Sequence, residues 1–229
     1  MGSARAHAGA RADGLDEVVR RLRAAVPERG RALVAVDGVG GSGKSTFAAA
    51  LARRVEDRPV LVLHADDFLH PSATRHARGR LSPEGFWLDA YDYAALTAWA
   101  LAPLRAGGDG LYRTHALDHA ADRAVRPDPV RAPEDALVVV EGTFLHRDEL
   151  AGFWDFSVYL DVPIAVGHRR LALRDGIDPD PERGPLRRYA GAQRLYLDAA
   201  APWGRASVVV DTTDAACPRI IDPAAAARG

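Results

Sequence analysis

The residues Gly38-Val39-Gly40-Gly41-Ser42-Gly43-Lys44-Ser45, set between a short apolar run and a segment of helical spacing, constrain this 229-residue chain more than any other feature. They match the pattern G-x-x-x-x-G-K-[ST] in full. Gly38, Gly40, Gly41 and Gly43 allow backbone conformations closed to residues with a Cβ, so successive N–H groups can turn inward on phosphate oxygens. The helix expected to start near Lys44 adds the positive end of its dipole. Lys44 then reaches the β- and γ-phosphates, the Ser45 hydroxyl ligates Mg²⁺, and Ser42 and Thr46 complete the phosphate-facing set. Chance gives such a match in roughly 1% of chains this long, and the strand-then-helix context lowers that further.

Lys44 is also the single lysine of a chain whose lysines and arginines total 30. A lysine kept against that usage points to a need for a compact ammonium on a flexible stem.

The remaining pattern alternates apolar runs with helical spacing, the signature of an α/β domain with a mainly parallel sheet. Strands are expected at Arg31–Asp37, Pro59–Ala65, Ala136–Val140, Phe156–Leu160 and Ser207–Asp211. Helices are expected at Leu15–Val26, Lys44–Val55, Asp89–Leu104, Ile164–Arg174 and Leu186–Ala200. The motifs fall at the C-terminal ends of the strands, where open α/β sheets bind ligands. Residues 1–14 read as a disordered lead-in, 15–222 as the folded domain, and 223–229 as a tail. A net charge of −1 argues against a dedicated nucleic-acid binder. No apolar run is long enough to span a bilayer, and the single cysteine, Cys217, fits a reducing cytoplasm. A homo-oligomer stays open.

Three further groups carry candidate chemistry. Glu141 closes the apolar run Leu137–Val140 and can hold Mg²⁺, directly or through water, near Ser45. Asp66 and Asp67 follow the second strand, and either could take the proton of an attacking hydroxyl. Arg170 and Arg174 lie four residues apart on one helical face, directly before the Pro/Gly-rich segment 175–185; a lid over about 169–188 would bring them onto a transferring phosphoryl group, and a solvated face in an arginine-rich chain is the other reading. Arg183, Arg187 and Arg188 read equally well as solvated arginines. Trp87 could stack on a base or simply pack.

VDGVGGSGKST, HADDF, VVVEGTFL and RRLALRD together resemble the uridine kinase branch of the P-loop nucleoside kinases, over about residues 31–214. The resemblance implies a P-loop NTPase-type three-layer sandwich with a five-stranded parallel sheet and a mobile arginine lid. It implies an ATP- (or GTP-) and Mg²⁺-dependent transfer to the 5′-hydroxyl of uridine or cytidine. Asp66 becomes the base, with Asp67 as support. Ser45 and Glu141 attend the metal, and Arg170 and Arg174 contact phosphates. Asp89 opens a D-A-Y-D helix start, Asp118 and Arg123 face the pyrimidine, and Gln193 faces the nucleoside. The departures lie on the acceptor side, where Leu117-Asp118-His119 and Phe86-Trp87-Leu88 differ from the family pattern. A kinase for another small alcohol, such as a sugar, a pantothenate-like compound or a pathway intermediate, is therefore the alternative, with a nucleotide switch behind it.

Overall fold

A computed structural model describes residues 14–180 and 183–227. The lead-in up to residue 13, residues 181–182 of the expected lid and the last two residues of the tail lie outside this set.

The uniformly apolar runs become the inner strands, because strands covered on both faces need no polar alternation. β1 (Ala32–Gly38) is buried along its whole length. It lies between β3 (Leu137–Gly142) and β4 (Phe156–Asp161), both parallel to it. β2 (Val60–His64) adds to β3, and β5 (Val208–Asp211) adds to β4, again in parallel. These are the five parallel strands expected. A sixth, β6 (Arg219–Ile221), pairs antiparallel with β5, so the sheet order is β6-β5-β4-β1-β3-β2. Its three residues carry too little alternation to stand out in the sequence.

Side chains of β1 divide between the faces. Ala32, Val34 and Val36 join Leu15, Val18, Phe47 and Leu51 of helices α1 (Gly14–Ala25) and α2 (Lys44–Arg54). Leu33 and Ala35 join a second core with Phe68, Leu96, Leu101, Tyr196 and Leu197. The second face is covered by α5 (Gly184–Ala200) and by a helical run of Tyr93–Ala95, Leu96–Leu101 and Ala102–Leu104, whose middle turns are π-helical. The result is three layers.

The expected helix Asp89–Leu104 is two helices. Ser82 caps α3 (Pro83–Asp89) by accepting from the Gly85 N–H at 3.0 Å. Asp92 caps the next helix by accepting from the Ala95 N–H at 2.8 Å. Asp89 thus ends a helix instead of opening one. Between the two, Tyr91 forms a bridge to Leu69. The irregular stretch Ala106–Pro133 holds two short antiparallel ribbons, Leu111–Tyr112 with Val130–Arg131 and Leu117–Asp118 with Arg123–Ala124. α4 (Ile164–Asp175) follows β4 and carries the expected lid arginines.

Candidate active site

The glycine-rich loop takes the shape its sequence demands. Gly41 and Gly43 have φ of 75° and 93°, in the left-handed region that favours glycine, and α2 begins directly after them. Gly41 has a second reason to lack a side chain, since a Cβ there would stand 2.1 Å from the Gly167 carbonyl oxygen. α4 is thereby pressed against the loop at two glycines.

Lys44 Nζ donates to the carbonyls of Gly38 (2.9 Å) and Val39 (3.0 Å). Burial pushes its pKa down, while Glu141, Asp37 and Asp66 oppose the shift. An ammonium held by two loop carbonyls and facing a cavity retains capacity for an anion. The Ser42 hydroxyl is buried without a hydrogen-bond partner. Ser42, expected among the phosphate-facing residues, is instead turned into the interior, its N–H bonded to the Val39 carbonyl at 3.1 Å. A glycine-rich turn, one cation and the start of α2 are the features that suit a polyphosphate.

Ser45 Oγ donates to Glu141 Oε1 at 3.0 Å, and His64 Nδ1 lies 2.6 Å from the same oxygen. The sheet register explains the meeting, because Glu141 is level with Val36 on one side and His64 on the other. Among the described residues no group of three or more His, Cys, Asp and Glu side chains could hold a metal alone. A hydroxyl and one carboxylate instead fit Mg²⁺, which keeps several waters and takes phosphate oxygens as ligands.

A cavity of about 450 Å³ joins the loop to the candidate base. Gly40, Gly41, Gly43, Lys44, Ser45 and Thr46 line one side, and Asp66, Glu141, Arg170, Arg174 and Gln193 also face it. Tyr91 Oη donates to Asp66 Oδ1 at 2.8 Å and fixes that carboxylate. Burial, followed by the charge of Asp66, raises the Tyr91 pKa well above its usual value, so the phenol remains a donor. Arg170 donates to the carbonyls of Thr212 (3.0 Å) and Thr213 (2.9 Å) and to that of Gly41 (3.4 Å). Arg174 pairs with Asp175 at 2.6 Å. Gln193 is buried beside the loop and within 3.2 Å of His168 Nε2.

Several expected residues lie elsewhere. Trp87 packs on Phe144 and Tyr196, with the Arg147 guanidinium 4.3 Å from its ring centroid, and it does not line this cavity. Its neighbour Phe86 does. Asp89 accepts from Arg78 at 2.8 Å, also away from the cavity. Asp67, Asp118 and Arg123 line a separate cavity of about 810 Å³ with His115 and His119.

Sequence reasoning missed two contributors. Tyr91 lay inside the quoted D-A-Y-D segment, and its phenol was the available signal. The other is a buried network behind the loop, in which Asp37 sits 2.8 Å from His146 Nδ1 and accepts from Tyr196 Oη. Burial alone would raise the Asp37 pKa, but His146, Tyr196 and Lys44 together hold it below the usual range. Phe144, fully buried, has a φ of 72°, strain that such sites often store.

A parallel sheet, a phosphate loop at the end of its central strand and an arginine-bearing helix against that loop define a P-loop protein of the kinase type. More particularly, the chain is similar to uridine kinase-like P-loop kinases. The structure of a possible uridine kinase from Bacillus stearothermophilus matches with a TM-score of 0.66 and 26% identity, covering 85% of this chain and 96% of that one. Pantothenate kinase of Clavibacter michiganensis subsp. michiganensis is 30% identical over 196 residues, 77% of this chain and 60% of that protein. Pantothenate kinase of Erwinia tasmaniensis is 27% identical over 170 residues, 66% of this chain and 53% of that protein. The chain thus spans little more than half the length of the curated relatives it matches. No family model matches it, and no helix among the described residues is long and apolar enough to cross a membrane.

Proposed function

We propose that the chain is an ATP-dependent, Mg²⁺-requiring phosphotransferase acting on a hydroxyl of a small molecule. The observation that carries this reading is the shared cavity, with Lys44 and Ser45 on one wall and the Tyr91-held Asp66 carboxylate also facing it.

The loop N–H groups and Lys44 hold the triphosphate, and Ser45 and Glu141 are placed to hold Mg²⁺, which supplies charge neutralisation to the phosphates when bound. Asp66 orients the acceptor hydroxyl and takes its proton as the new bond to phosphorus forms. Arg170 and Arg174 offset charge on the phosphates from α4. Gln193 contributes a polar contact from α5. A nucleotide switch would need neither the acceptor-side carboxylate nor the arginines.

Two acceptor classes have support. The Bacillus stearothermophilus neighbour favours the 5′-hydroxyl of uridine or cytidine. The sequence relatives favour a pantothenate-like alcohol, and Trp87, the candidate for stacking on a base, packs away from the cavity. We favour the second class.

Acceptor-dependent ADP release, measured across nucleosides, sugars and pantothenate, tests the proposal. Asp66→Asn should retain ATP binding and lose turnover; unchanged turnover in that variant would remove Asp66 as the base.

A further inference from the structure

The acceptor side of the cavity holds two arginines that phosphate chemistry at the loop does not use. Arg188, in the first turns of α5, is 7% exposed, and its Nε has no hydrogen-bond partner. Among the described residues no carboxylate lies within ion-pair distance of it. Its guanidinium sits 4.8 Å from the Phe86 ring centroid, beside the wall that carries Tyr91 and Asp66. Arg75 lines the same cavity with its own Nε buried and unpartnered. Its terminal nitrogen reaches Asp122 at 3.3 Å, a half-exposed carboxylate that also accepts from the Ser72 N–H. That contact steers Arg75 without filling its fork.

These two cations differ in position from the donor-side pair. Arg170 is tied to the carbonyls of Gly41, Thr212 and Thr213, at the loop and beyond β5, and Arg174 is paired with Asp175. Arg188 instead connects through Phe86 to Tyr91, and through Tyr91 to Asp66. Their field is felt locally, since burial and then Arg188, Arg75 and Arg80 hold His76 below the usual histidine range. A buried guanidinium with no counter-ion is costly and persists where a ligand supplies the missing charge. A planar fork stacked on an aromatic ring is suited to bidentate recognition of a carboxylate or phosphate.

Resting on the kinase reading above, we propose that the phosphoryl acceptor is itself an anion: a small alcohol bearing a carboxylate or phosphate, with that group between Arg188 and Arg75 and the hydroxyl toward Asp66. A neutral nucleoside or sugar leaves the Arg188 guanidinium uncompensated. The transfer balances as for any alcohol: the acceptor oxygen bonds to the γ-phosphorus, the bond to the β,γ-bridging oxygen breaks, ADP leaves, and the hydroxyl proton passes to Asp66.

The test uses the full chain saturated with Mg²⁺ and a non-hydrolysable ATP analogue, so that the loop is filled, and titrates matched pairs by calorimetry. Pantothenate against panthenol and glycerate against glycerol probe the carboxylate, ribose 5-phosphate against ribose probes the phosphate, and uridine is the neutral reference. At least one anion should bind about tenfold or more tighter than its neutral partner, and Arg188→Gln or Arg75→Gln should weaken it about tenfold. Arg188→Lys should keep part of the preference, and the ATP analogue should bind all variants as it binds the wild type, which also shows that they are folded. Which pair discriminates identifies the anionic group. Equal affinity for charged and neutral partners, uridine bound tightest, or Arg188→Gln weakening the nucleotide instead of the anion would each overturn the proposal. Failure of the wild type to bind the nucleotide analogue at all would instead overturn the kinase reading beneath it.

Discussion

Ser45 Oγ and Glu141 Oε1 meet at 3.0 Å although the two residues stand 96 positions apart. Two neighbouring parallel strands end level with one another, so a hydroxyl just past β1 and a carboxylate in β3 share one point in space. Removing either partner should raise the Mg²⁺ concentration needed for half-maximal ATP turnover. Glu141→Gln or Ser45→Ala is expected to do so by about 10- to 100-fold, read from Mg²⁺ titrations of initial rate; an unchanged requirement would place the metal elsewhere.

Tyr91 Oη donates to Asp66 Oδ1 at 2.8 Å, so its removal is expected to act through that carboxylate. Asp66→Asn should lower kcat by about 100- to 10,000-fold with nucleotide affinity kept. Tyr91→Phe should give a smaller loss that leaves nucleotide affinity intact. Comparing kcat with nucleotide Kd in both variants checks the ordering.

The contact of α4 with the loop depends on the absence of side chains. A Cβ on Gly167 would stand 2.3 Å from the Gly40 carbonyl oxygen. Gly167→Ala should therefore displace the helix from the loop, costing about 1–3 kcal/mol of stability and weakening nucleotide binding. Urea unfolding with a nucleotide titration measures both, and a variant with wild-type values in each would show that the gap is not needed.

Asp37 supports the loop from beneath, and its depressed pKa fixes a pH dependence. A carboxylate stabilised in the folded state contributes above its unfolded pKa of about 3.9, and that contribution is lost as pH falls through the lower folded value. Asp37→Asn should cost about 1–3 kcal/mol at neutral pH. It should also flatten the acid limb of the stability curve, as followed by denaturant midpoints against pH. An acid limb identical to that of the wild type would assign the loss to other carboxylates.

How legible all this was depended on the distance over which each feature is encoded. The phosphate loop is a local instruction, with glycines, lysine and serine at fixed spacing, and β1 and β3 announce themselves as apolar runs closed by an acidic residue. The break between α3 and the following helix was also written locally, in Ser82 and Asp92, but apolar spacing across Asp89–Leu104 outweighed the caps. Trp87 could not be assigned from spacing, because its packing partners Phe144, Arg147 and Tyr196 lie far along the chain. Arg187 and Arg188 are indistinguishable in sequence. Only the phase of α5 against α3, set where Gly191 meets Pro83, turns Arg188 inward and leaves Arg187 exposed.

The most direct measurement incubates the purified protein with Mg²⁺, ATP and a panel of nucleosides, sugars, hydroxy acids and sugar phosphates, with products identified by mass. The expected result is one acceptor converted to its phosphate ester in step with ADP, and loss of that product in Asp66→Asn. ADP and free phosphate formed at the same slow rate with every acceptor and with none, in wild type and Asp66→Asn alike, would contradict a phosphotransferase.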